Sequence, residues 1–265
     1  MKTIFTFVLV LSGLFASSQQ RESESELPSR EADVTFNKRV WRVIDLRDRP
    51  NKSAASVSNP LSLILFNAVK EGKLIPYLSD SLKTRIPLSK FLKQINDTII
   101  EENYKDINDP SSVSYDTVIS EFNPLKKIQK YIVMEEWLFN KKSSNMMIKI
   151  IAIAPLYRKI HYDNDVGIRQ LCWLKYQDNK GVETTCKEIL SENHLYTSKN
   201  KITDSTYFDW FEKRMFFSYI IKISSSHDMS LSSIAEFKDN RLEAMMQSER
   251  LKQELQDYQD DMWDK

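Results

Sequence analysis

The stretch that most constrains this chain is Asp204 to Ile223, DSTYFDWFEKRMFFSYIIKI, where aromatic and branched residues crowd into twenty positions. Its opening carries helix signals, with Asp204 or Ser205 as a cap and Asp209 and Lys213 one turn apart. At helical spacing Tyr207, Phe211, Met215, Ser218 and Lys222 share one stripe. Trp210, Phe217 and Ile221 fill a second side, and Phe216, Ile220 and Ile223 a third. The spacing predicts a helix over residues 204–223 that is apolar nearly all round, so it must be covered nearly all round. On this reading a sheet covers one side and a second subunit another. A central helix inside an ordinary core is the alternative.

The chain opens differently. Lys2, an apolar run from Ile4 to Leu11 and the exit Ser12-Gly13-Leu14-Phe15-Ala16-Ser17-Ser18 read as a leader cleaved before Gln19. The run is too short to span a bilayer. No cysteine follows the cleavage point, so lipid attachment there is chemically excluded, and the mature protein reads as exported with no membrane span of its own. The 265 residues suffice for one large domain. Lys plus Arg number 38 and Asp plus Glu 37, and loss of Lys2 brings the two to parity, so net charge implies neither nucleic acid nor an anionic surface as partner. Four glycines, one of them in the leader, cannot build a Gly-rich phosphate cradle.

The polar segment Gln19 to Arg30 has almost nothing to bury and reads as a disordered lead-in. In Val40 to Arg47, Val40, Arg42, Ile44 and Leu46 alternate with Trp41, Val43, Asp45 and Arg47, the pattern of an extended strand. Residues 48–58 form a Pro, Asn, Ser and Ala linker, so 19–58 reads as lead-in, arm and linker ahead of a single domain over 59–265. An arm bearing Trp and several Arg suits docking, because those residues dominate interface hot spots. An edge strand of its own domain is the equal alternative. The candidate partner-binding residues are therefore Arg39, Trp41, Arg42, Asp45 and Arg47 of the arm, with Trp210, Arg214 and Phe217 of the apolar stretch.

Downstream, Asn59-Pro60 starts a helix that ends at Gly72 and puts Leu61, Ile64, Leu65, Ala68 and Val69 on its apolar face. A second helix from Pro87 or Ser89 groups Leu88, Phe91, Leu92 and Ile95. Asn96 to Pro124 reads as loop, with a strong turn at 108–112. Alternation over Tyr131 to Phe139, a polar turn at 141–144 and the β-branched run Met146 to Pro155 make a hairpin. A second hairpin is expected from Ile168 to Tyr176 and Val182 to Leu190. Cys172 and Cys186 would then face each other across strands as a disulfide, or stay as unpaired core thiols. Leu231 to Trp263 is helical, but Leu242, Met245 and Met246 lie nearly opposite Leu251, Leu255, Tyr258 and Met262. A kink, a final segment packed on a neighbouring subunit, or two short core helices would reconcile the two faces. The class is α+β, an antiparallel sheet of two hairpins packed with helices.

Chemistry finds little purchase. His161, His194 and His227 sit in polar loop-like contexts, and neither G-x-S-x-G nor H-E-x-x-H occurs. Glu135 and Glu136 point to opposite faces of a strand, so they cannot act as a carboxylate pair. Arg214 and Lys222 could line an anion site or form a salt bridge within an assembly. No catalytic, cofactor-binding or metal-ligating residues are expected.

Five segments carry a resemblance: READVTFNKRVWRVIDLR (Arg30 to Arg47), SLILFNAVKEGKLIPY (Ser62 to Tyr77), EEWLFNKKSSNMMIKIIAIAP (Glu135 to Pro155), DSTYFDWFEKRMFFSYIIKIS (Asp204 to Ser224) and QSERLKQELQDYQDDMW (Gln247 to Trp263). In this order they resemble the GldN/PorN family of the gliding and type IX secretion machinery of Bacteroidetes. The resemblance implies a non-catalytic ring subunit in the periplasm, self-associating and held at the outer membrane by a GldK/PorK-like lipoprotein. It also implies contact with the periplasmic part of a GldM/PorM-like motor protein. A periplasmic module that binds lipid or peptide is the alternative function.

Overall fold

The alternation of apolar side chains builds an antiparallel sheet that organises everything else. A computed structural model describes residues 34–56, 58–104, 113–140, 145–161, 164–178, 181–196, 202–224 and 240–263. The leader, the lead-in, the turns at 108–112 and 141–144, and His227 lie outside the described residues. Five strands run in the order β10-β1-β4-β5-β6, all antiparallel: β10 (Tyr219–Ile223), β1 (Val34–Asp45), β4 (Ile128–Asn140), β5 (Asn145–His161) and β6 (Asn164–Gln170). The short β7 (Leu174–Lys175) adds to the outer edge of β5. Two hairpins complete the strands: β2 (Asp97–Tyr104) with β3 (Val113–Ser120), and β8 (His194–Tyr196) with β9 (Ile202–Thr206). The α+β class is thus what the chain adopts.

The sheet buries both faces. Ile44, Tyr131, Val133, Ile150 and Ile153 pack on one side against α1 (Leu61–Lys70), α2 (Leu88–Ile95), α4 (Cys186–Ser191) and α5 (Tyr207–Glu212). Trp41, Val43, Ile132, Met134 and Ala152 pack on the other with Tyr77 and Trp173. Helix α1 buries Leu61, Leu65, Ala68 and Val69, and α2 buries Phe91 and Ile95, as their periodicity demands. The four-residue α3 (Pro124–Lys127) starts on Asn123, whose side chain accepts from the amides of Leu125 and Lys126. Helix α6 (Arg241–Trp263) lies along β10.

Six expectations are corrected. The predicted helix over 204–223 is β9, α5, a turn and β10, because α5 stops after six residues. The predicted second hairpin is absent: Val182 to Leu190 holds no strand, and Cys186 begins α4. Cys172 and Cys186 are free, buried thiols rather than a disulfide. The arm is no tethered docking segment, since β1 sits between β4 and β10 inside the sheet and the linker carries a 3-10 turn, Arg49–Ala55, that buries Asn51 and Ala54. The region expected to be loop, 96–124, holds β2 and β3. Finally, 241–263 is one helix that buries Ala244, Ser248 and Leu255, with Leu251 partly covered. Leu242, Met245 and Met246 stay exposed, and the side chains of Tyr258 and Met262 lie outside the description.

Candidate functional site

The turn between α5 and β10 is held from three directions. A capping box starts α5: the Asp209 amide donates to Thr206 Oγ1 at 3.2 Å and the Thr206 amide to Asp209 Oδ2 at 3.1 Å. Tyr207, Trp210 and Phe211 are then buried, with Trp210 and Phe211 edge to face at 5.0 Å. The helix ends in a paired closure, in which Met215 N donates to Trp210 O (3.0 Å) and Arg214 N to Phe211 O (3.2 Å). That motif needs a left-handed residue, and Arg214 supplies it with φ 52°. Glycine is the usual occupant, so arginine costs about 1 kcal/mol there.

What Arg214 receives in return is a buried carboxylate. Glu135 on β4 is fully buried, and its Oε1 accepts from Arg214 Nη1 at 2.6 Å. Its Oε2 accepts from Arg42 Nε at 3.0 Å and from Trp137 Nε1 at 2.8 Å. Arg42 also reaches Ser218 Oγ at 3.3 Å and lies 5.5 Å from the centre of the Trp137 ring. Burial lowers the Arg42 pKa and the neighbouring Arg214 presses the same way, against the pull of Glu135. The pairing shifts register beside these side chains, because β10 carries an extra residue, Ile221, opposite Trp41 and Arg42, and β5 an extra residue, Ile151, opposite Met134 and Glu135. Such bulges re-aim side chains at sites.

The buried Asn51 fixes the far end of the turn. Its Nδ2 donates to Asp45 O and Phe217 O, and its Oδ1 accepts from Phe217 N, each at 2.8 Å. Asp45 accepts from Arg47 Nη2 at 2.6 Å, so the end of β1 and the turn form one hydrogen-bonded unit. From this hydrogen-bonded frame Met215 and Phe217, 43% and 47% exposed, project just after Arg214 in the chain. An exposed aromatic, a methionine and an arginine on pre-ordered backbone make a surface suited to gripping another protein. It holds no nucleophile with an adjacent base.

The model of the gliding motility associated protein GldN matches residues 29–264, nearly the whole chain. The chain belongs to the GldN family. No curated protein matches it.

In this GldN-family chain the expected partner-binding residues divide into three groups. Arg42, Arg214 and Phe217 come together at the turn, and Asp45 joins them through Asn51. Arg47 is exposed beside Asp45, and Arg39 is exposed at the level where its amide donates to Ser224 Oγ. Trp41 and Trp210, 3% and 2% exposed, are buried in the core of the chain. Lys222 and Arg214 do not line one anion site. Lys222 Nζ lies 4.4 Å from the centre of the Trp41 ring on the sheet face opposite the Glu135 cluster. Glu135, Asn51 and Met215 were missed as members of the site. A carboxylate in phase with Tyr131, Val133 and Trp137 was the one local signal for Glu135. Among the described residues no three His, Cys, Asp or Glu side chains could hold a metal ion, and no helix is long and apolar enough to cross a membrane.

Proposed function

We propose that this chain is a non-catalytic structural subunit of the type IX secretion and gliding apparatus, a ring component in the periplasm. A GldK/PorK-like lipoprotein holds it at the outer membrane, and it meets the periplasmic part of a GldM/PorM-like motor protein. The observation that carries the reading is the match of residues 29–264 to the gliding motility family model. Support from the molecule is the turn at 213–218, where Arg214, Met215 and Phe217 are presented on a frame that costs little to order on binding.

Removing the two exposed side chains tests this. A Met215→Ser/Phe217→Ala variant, co-expressed with a tagged lipoprotein partner or motor ectodomain, should lose at least about tenfold in recovered complex. Its own melting temperature should stay within a few degrees of the parent, because neither side chain is core. Full recovery of both complexes with the variant would take the turn out of the interface. Absence of any complex with the parent chain would remove the ring reading itself.

A further inference from the structure

We propose that the outer edge of β5 over residues 146–150 is a docking site for an extended segment of another protein, which adds to the sheet as a further strand. This goes beyond the ring reading and does not use the 213–218 turn. Strand β5 is 17 residues long, and β4 pairs with its inner side from Asn145 to Tyr157. On its outer side the pairing starts late. Tyr176 N donates to Ile151 O at 2.9 Å, β7 takes Ala152 and Ile153, and β6 takes Leu156 to His161. Among the described residues none pairs with that side of 146–150. Such an edge carries a row of backbone donors and acceptors that only another extended backbone can satisfy in full, which is the basis of strand addition.

The two ends of the sheet are protected where β5 is not. Helix α6 lies along β10 and gives the Ile220 amide a partner in Ser248. Strand β6 skips Val166 in its register, then carries Gly167 at φ 85° and the exposed Arg169. A bulge and a charge both blunt an edge. Residues 146–150 read Met-Met-Ile-Lys-Ile and pair with β4 without a register shift. Met146 and Ile148, opposite Phe139 and Trp137, are only half covered, so a strand laid beside them brings its own apolar side chains onto that face. Met147 and Lys149 alternate to the other face. There the exposed Arg39 of β1, Glu136 of β4 and the exposed Lys149 form one row across three strands, two cations around one carboxylate. Lys149, at the open end of the row, forms no ion pair among the described residues. A second copy of this edge brings another Lys149 and no acid. The charge therefore selects a different chain, one with a carboxylate set between alternating apolar residues.

The test uses the purified chain and a fluorescein-labelled synthetic peptide in which Val and Ile alternate with Glu and Thr. Anisotropy should rise saturably, and amide hydrogen exchange should slow within 146–150 when the peptide is bound. The same peptide with Pro at two of its apolar positions should not bind, because it cannot complete the ladder. Lys149→Glu should weaken binding at least about fivefold at low salt, and a peptide with Lys in place of Glu should bind that variant better than the parent. Phe217→Ala should change neither readout. The proposal is overturned if the parent does not bind the peptide, if the Pro peptide binds equally, if Lys149→Glu binds as the parent does, or if the protected amides lie on another element. It is also overturned if exchange within 146–150 slows with protein concentration alone, since a second copy then occupies the edge. Because Phe217→Ala reads the turn and Lys149→Glu reads this edge, failure of one leaves the other standing.

Discussion

Glu135 is the residue on which the turn rests, because it satisfies two guanidinium groups and an indole while fully buried. Truncating one partner of such a cluster costs more than the cluster ever contributed, since the remaining charges stay desolvated and now repel. Glu135→Ala should therefore lower stability by about 3 kcal/mol in urea titrations, the low end of the range because Arg42 and Arg214 keep some access to water. Asp45 gives a pH dependence. Burial alone would raise its pKa, but hydrogen bonds from Arg47, and the charges of Arg47 and Lys130, outweigh that and hold it below its ordinary value. A carboxylate depressed in the folded state adds stability above its unfolded pKa of about 3.9, and that increment is lost as pH falls through the folded value. The gap in urea midpoint between the parent and Asp45→Asn should be full at pH 7 and close progressively below about pH 4.

At the scale of elements, α6 answers a problem that β10 creates. An edge strand presents unpaired backbone groups and invites pairing with other chains. Here the Ile220 amide donates to Ser248 Oγ at 2.9 Å, and Ala244, Leu251 and Leu255 continue the same helical stripe onto the strand. The small residues Ala244 and Ser248 let the helix approach closely, which is why α6 turns this stripe inward and leaves Leu242, Met245 and Met246 exposed. Weighing only the large apolar residues, as periodicity does, hides that stripe. Ser248→Ala should cost about 1–2 kcal/mol, the penalty of one buried amide left without a partner, measured by thermal or urea unfolding. Cutting the chain before α6 should produce concentration-dependent association in light scattering as β10 is uncovered; a truncated chain that stays monomeric would contradict the covering role.

For the molecule as a whole, the apolar density of 204–223 does not compel a partner. Tyr207, Trp210, Phe211, Ile220, Ile221 and Ile223 are all buried within one chain, and only Met215 and Phe217 remain outside as large apolar surface from that stretch. The proposed association therefore rests on a small presented patch and on family membership rather than on an uncovered rod. The thiols report on the same body. Burial pushes both Cys172 and Cys186 well above their ordinary pKa, and the neighbouring Cys172 raises Cys186 further. Without reductant, an aromatic disulfide reagent should find no accessible thiol in the folded protein and two per chain after denaturation. Fewer than two on unfolding would mean that the pair is oxidised.

Sequence by itself determined the elements whose instructions are local. Two-residue alternation made β1, β4 and the start of β5, and three- to four-residue spacing gave α1 and α2 their buried faces. The short β-branched runs Thr98 to Ile100 and Thr117 to Ile119 carried the signal for β2 and β3 but were outweighed by the polar residues around them. Tertiary structure decided the rest, because the deciding partners are distant in the chain. The stop after α5 is written on an arginine instead of a glycine, and that arginine is stabilised by a carboxylate 79 residues away. Likewise β10 becomes a strand because β1, from the far end of the chain, offers it a ladder. A run of apolar residues fits either period, so only the surface it meets can choose between them.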